Sequence, residues 1–113
     1  MKILLKIYDF IKSVFVTKID GAFSLQKQEN VDTRKLKKNI IYIESSHEND
    51  RWLHMMCPCG CGDVISVNLM KSISPSWGLI YNEDSTFTLS PSIDKTTGCK
   101  SHFFIRNSKI QWA

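Results

Sequence analysis

Four cysteines constrain this chain more than any other feature. Three of them fall within five residues, in Cys57-Pro58-Cys59-Gly60-Cys61-Gly62, and the fourth is Cys99, followed by Lys100-Ser101-His102. Disulfides explain the pattern poorly. Near neighbours such as Cys57 and Cys59 cannot easily reach disulfide geometry. The chain also shows no secretory signal, and intracellular thiols stay reduced. A metal explains it better. Zinc takes four soft or borderline ligands at tetrahedral corners, and Gly60 and Gly62 let the backbone turn tightly enough for closely spaced thiolates to converge. A remote fourth ligand then staples two strands of a domain too small to rely on its core alone. Two ligand sets fit the spacing. Cys57, Cys59, Cys61 and Cys99 bind the ion, or His102 replaces one of the thiolates.

The surroundings of this cluster read as short strands. Ile40-Ile41-Tyr42-Ile43 is a β-branched apolar run, Trp52 to Met56 leads into the cysteines, and Val64 to Leu69 partly alternates. Trp77–Tyr81 and Thr86–Leu89 flank the turn Asn82-Glu83-Asp84-Ser85, and His102–Ile105 and Ile110–Trp112 flank Asn107-Ser108. Strands at this spacing with tight turns predict a mainly β fold, a small antiparallel sheet or barrel-like domain built around the zinc site over residues 39–113. Trp52, Trp77 and Trp112 are expected in its core.

Residues 1–38 differ. Leu4, Ile7, Tyr8, Ile11, Val14 and Phe15 recur at helical spacing, so residues 2–16 predict an amphipathic helix. It packs on its own domain or on a second copy of the chain. Residues 20–38 are polar and end in Arg34-Lys35-Leu36-Lys37-Lys38, which reads as a basic linker. Most of the formal charge of +4 belongs here: residues 1–38 carry nine Lys/Arg against four Asp/Glu, and residues 39–113 six against seven. The body therefore lacks the basic stripe of a nucleic-acid binder. Charges at Lys6, Asp9 and Lys12 break the amino-terminal apolar run, and no small-residue cleavage site follows, so neither a spanning helix nor a signal peptide is expected and the chain reads as cytoplasmic.

The motifs Cys57-Pro58-Cys59-Gly60-Cys61-Gly62, Leu89-Ser90-Pro91-Ser92 and Gly98-Cys99-Lys100-Ser101-His102-Phe103, closed by Ile110 and Trp112, resemble a bacterial family of small domains of unknown function. The resemblance covers residues 36–113. Members sit beside ubiquitin-like conjugation genes in antiphage-defence operons. The resemblance implies processing or removal of a ubiquitin-like protein, with that protein and its activating and conjugating enzymes as partners.

Three chemistries are open to a peptidase with these residues. A serine mechanism needs a hydroxyl, a base and a group that orients the base. Ser90 and Ser92, two apart on a strand, share a face, whereas Ser101 and its neighbour His102 point oppositely. Ser90 or Ser92 is thus the better partner for His102, with Asp94 available to orient the imidazole. This requires that the four cysteines alone hold zinc. Metal-activated water fits worse, because several thiolates weaken the ion as a Lewis acid and no HExxH pair exists; Glu44, Glu48 and Glu83 qualify only as carboxylates. A Cys99 nucleophile would cost the metal its fourth ligand. His54, in an apolar strand, reads as a packed residue, and His47 as a loop residue. The favoured expectation is a zinc-stabilised serine-type peptidase; the alternative is a non-catalytic zinc-binding adaptor that docks on the ubiquitin-like protein or its conjugation enzymes.

Overall fold

The computed structural model describes residues 22–113. The expected amino-terminal helix, and with it any role in self-association, lies outside them. Eight strands follow in chain order: β1 (Ser24–Gln28), β2 (Ile40–Ser46), β3 (Asn49–Met56), β4 (Val64–Asn68), β5 (Gly78–Tyr81), β6 (Phe87–Asp94), β7 (His102–Arg106) and β8 (Lys109–Trp112). They form two four-stranded sheets, β1-β2-β3-β4 and β5-β6-β7-β8. The mainly β reading holds, but as two sheets and not one. Among the described residues there is no helix, and none is long and apolar enough to cross a membrane.

Period-two alternation explains how the sheets meet. Ile41 and Ile43 of β2, Leu53 and Met55 of β3, and Ile65 and Val67 of β4 point to one side. Phe87, Leu89 and Ile93 of β6 and Phe103 and Ile105 of β7 complete the same apolar cluster from the other sheet, and Cys57 lies at its margin. Trp77 packs on this cluster while half-buried, Trp52 is half-buried and stacked on His54, and Trp112 is exposed with its ring edge-on to Phe103, so none of the three is a fully buried core residue.

Two departures from the sequence reading have local causes. The polar stretch 20–38 contains β1, which pairs in parallel with β2, Leu25 opposite Ile41. It is an edge strand whose only apolar anchor in the core is Leu25, so it carries almost no hydrophobic period. The second is the hairpin β2–β3, which turns at His47 and Glu48, both at positive φ. The Asn107-Ser108 turn is of the same two-residue kind. There Ser108 is buried: its N–H donates to Phe87 O (2.8 Å), its Oγ accepts from Phe87 N–H (3.1 Å), and its carbonyl accepts from Phe23 N–H (2.7 Å).

The open edges of the two sheets are tied through Asp50. Its carboxylate accepts from Tyr81 Oη of β5 (2.8 Å) and Ser45 Oγ (2.8 Å), and Lys27 of β1 lies 3.3 Å away. Partial burial pulls the Asp50 pKa up, but the hydrogen bonds from Ser45 and Tyr81 and the Lys27 ammonium outweigh it, so the net shift is downward from 3.8. A carboxylate lowered in the folded state contributes stability that is present above its unfolded pKa and is lost as pH falls through the folded one. Asp50→Asn is therefore expected to cost about 1–2 kcal/mol in urea unfolding at pH 7, the scale of hydrogen bonds to a charged group. The gap to the wild type should close as the pH drops below about 4. A gap that persists to pH 2 would contradict this assignment.

Candidate functional site

The loop between β3 and β4 runs from Cys57 to Asp63, and two backbone hydrogen bonds close it on itself: Cys57 N–H to Asp63 O (2.8 Å) and Gly60 N–H to Cys57 O (3.2 Å). Gly60 and Gly62 have φ of 91° and 90°, a region that side chains with a Cβ seldom occupy. These two glycines fold Cys57, Cys59 and Cys61 towards one point. Cys99 arrives from the β6–β7 loop in the opposite sheet. The four Sγ atoms all lie within 4.8 Å of one another, with Cys57–Cys59 at 3.4 Å and Cys57–Cys99 at 3.6 Å. A tetrahedral ion with metal–sulfur bonds near ~2.3 Å sets its sulfurs about 3.8 Å apart. The donor set therefore fits a metal ion, which would bridge the two sheets at one end. His102 is not part of the group.

The electrostatics of the thiols are those of groups that cannot all ionise together. The Ser101 hydroxyl beside Cys99 (3.1 Å) outweighs desolvation and holds that thiol down at about 6. Cys61 is pushed up to about 12: the Asp63 backbone N–H acts downward, but desolvation and the neighbouring sulfurs prevail. Asp63 pairs with Lys95 at 2.7 Å, and the ammonium also feels Cys99 and Cys61, which raises its pKa.

Beyond Cys99 the chain enters β7, and the strand alternation separates neighbours. Ser101 is buried against Cys57 and Cys99, while His102 points out of the sandwich. His102 Nε2 lies 3.0 Å from Ser92 Oγ. Ser92 belongs to a bulge in β6. Leu89 pairs with Ile105 and Ile93 with Phe103, so Ser90, Pro91 and Ser92 stand opposite the single residue Phe104. Asp94 is directly across the ladder from His102, which puts both side chains on one face; among the described residues no hydrogen bond or ion pair occupies its carboxylate. His102, Phe104 and Arg106 line the outer face of β7, with the imidazole 6.0 Å from the Phe104 ring and the Arg106 guanidinium 4.1 Å above it. Ser90 is placed elsewhere. It pairs with Gly78 of β5 and borders a groove of about 270 Å³ formed with Trp77, Leu79 and Ile80.

A second Ser–His contact joins residues that the sequence does not bring together. On the outer face of the first sheet, His54 Nδ1 lies 2.7 Å from Ser66 Oγ and its Nε2 lies 3.1 Å from Glu44 Oε1. Ser66 and Tyr42 flank His54 in the ladder, so cross-strand register makes the array. His54 reads as a packed residue from sequence, and it is buried at 8% exposure with Trp52 stacked beside it, but its two nitrogens are bridged by polar partners. Only strand pairing reveals them. Glu48 sits in the β2–β3 turn and Glu83 in the β5–β6 turn, away from both arrays.

Over the described residues, fold and site together define an all-β unit with four cysteines placed so that they could hold a metal ion and, beside them, a Ser92–His102 contact on the outer face of the second sheet. The family model described as BubE, bacterial ubiquitination-like system serine protease, matches residues 27–113. The chain belongs to that family. No curated protein and no solved structure gives a match.

Proposed function

We propose that this chain is a zinc-stabilised serine peptidase whose nucleophile is Ser92 and whose general base is His102, acting on a ubiquitin-like protein at its precursor tail or in its conjugates. The observation that carries the reading is the 3.0 Å contact between Ser92 Oγ and His102 Nε2 on an exposed face, with the imidazole separate from the thiolates. Zinc held by Cys57, Cys59, Cys61 and Cys99 would be structural, since four protein ligands close a tetrahedral site. When bound it neutralises thiolate charge and fixes the loop that leads into β7.

The chemistry follows from this geometry. His102 Nε2 takes the hydroxyl proton as Ser92 Oγ attacks the scissile carbonyl, and returns it to the leaving group as the acyl ester forms. Water, deprotonated by the same nitrogen, then attacks the ester carbonyl; the bond to Ser92 Oγ breaks, the imidazolium returns its proton to Ser92 Oγ, and the carboxylic acid product leaves. Asp94, across the ladder from His102 with its carboxylate free of hydrogen bonds among the described residues, is assigned the balancing of the imidazole's transient positive charge; Asp94→Asn is expected to lower kcat about tenfold. The ubiquitin-like substrate is supported by the family description.

The completeness of the Ser66–His54–Glu44 array favours a second reading in which Ser66 is the nucleophile. It ranks lower because the base must hand its proton to a departing group, and His54 is almost wholly covered while His102 is exposed. Labelling with a fluorophosphonate, followed by mapping of the modified peptide, separates the two. The adduct is expected on Ser92; an adduct on Ser66 would transfer the assignment.

A further inference from the structure

The bulge that carries Ser92 raises a question of support. Residues 90–92 face one residue of β7, so they lack a regular ladder with that strand. A nucleophile displaced by about 1 Å loses on the order of a hundredfold in rate, and something must hold this one. Among the described residues, one side chain hydrogen-bonds its backbone. Trp77, in the segment before β5, donates its indole Nε1–H to the carbonyl of Ser92 at 3.1 Å. The ring packs on the hydrophobic core, so the donor is anchored from behind.

Trp77 is itself held from the other sheet. Its backbone N–H donates to Asn68 O (2.8 Å) at the end of β4. The buried Asn68 side chain gathers the loop between them: Nδ2 donates towards Ile73 O (2.9 Å), Pro75 O (3.0 Å) and Met70 O (3.1 Å), and Oδ1 accepts from Met70 N–H (2.9 Å). Neither Trp52 nor Trp112 makes an indole hydrogen bond among the described residues.

We infer that Trp77 is a positioning residue for the peptidase reaction: its indole N–H pins the Ser92 carbonyl so that Ser92 Oγ is aimed at His102, and Asn68 sets the loop that delivers it. Trp77 touches no reacting atom. The inference rests on Ser92 as the nucleophile, and the variants below keep the two claims apart.

The test uses the full chain, a fluorophosphonate probe and a ubiquitin-like fusion substrate. Trp77→Phe keeps an aromatic ring and removes the donor. Its labelling rate and kcat are expected to fall about tenfold, with KM within about twofold and the thermal midpoint within a few degrees, because a misaimed hydroxyl affects the bond-making step and not substrate binding. Trp112→Phe, which removes an indole N–H without a hydrogen-bond partner among the described residues and keeps an aromatic ring against Phe103, should stay within about twofold of the wild type. A Trp77→Phe protein that labels and turns over like the wild type, while Ser92→Ala is inactive, overturns the inference alone. Full activity in Ser92→Ala overturns the underlying assignment instead. Amide and indole exchange in the wild type decides the case of a Trp77→Phe chain that does not fold: the Trp77 indole proton should exchange at least about tenfold more slowly than those of Trp52 and Trp112, and equal rates would refute the bond.

Discussion

Ser92→Ala is expected to reduce cleavage of a ubiquitin-like fusion by about a thousandfold or more, and His102→Ala to do the same. The double variant should be scarcely worse than either, because a nucleophile and its base act as one unit. Ser92 is half-buried and His102 exposed, and neither belongs to the apolar cluster, so urea unfolding should differ little from the wild type. That separation of activity from stability is the informative part. A core residue would lower both, whereas a reacting pair lowers only the rate. Ser90→Ala should cleave within about twofold of the wild type, since Ser90 faces the groove beside Gly78 and makes no hydrogen bond to His102. Retained cleavage in Ser92→Ala together with its loss in Ser66→Ala would move the active site to the opposite sheet. Retained cleavage in both would remove serine chemistry from either array.

Chelation of the zinc proposed for the four cysteines is expected to give the second large effect. The cysteine loop and Cys99 come from different sheets, and Cys57 is part of the core cluster. A chelator strong enough to strip zinc, or the substitution Cys99→Ser, is expected to lower the thermal midpoint by roughly 20 °C or to abolish the cooperative transition, because metal-binding energy in such a small domain is folding energy. Acid should act in the same direction. The ligands must be thiolates, so protons compete with the ion and the stabilisation is lost as pH falls. Cleavage should fail with the fold, since the loop that leads to His102 is held by Cys99. Measured midpoints that coincide for the metal-loaded and metal-stripped chains would show that the cysteines are merely packed.

The cysteine cluster was legible from sequence because its signal is local: three thiols with intervening glycines converge whatever surrounds them. The fourth member, Cys99, could be nominated but not placed, and the strand geometry supplies the reason it reaches. Strand alternation also sufficed to turn Ser101 inward and His102 outward. The choice between Ser90 and Ser92 was not legible. A regular strand would put both on one face, but the bulge opposite Phe104 breaks the period, and a bulge depends on the partner strand. The same limit hid His54, whose partners Ser66 and Glu44 come from strands on either side of β3. Two turns make the contrast plain. Asn107-Ser108 carries ordinary turn residues and was foreseen, whereas His47-Glu48 adopts positive φ with residues that signal no turn. β1 escaped notice because its edge position asks for little apolar content.

The account depends on sulfur alone holding the ion while the imidazole stays with Ser92. X-ray absorption at the zinc edge of the loaded full chain tests this most directly. Four sulfur neighbours at about 2.3 Å and no nitrogen are predicted, with the same spectrum and zinc content in His102→Ala. A first shell of three sulfurs and one nitrogen that loses its nitrogen in His102→Ala would put the proposed base on the metal and contradict the mechanism.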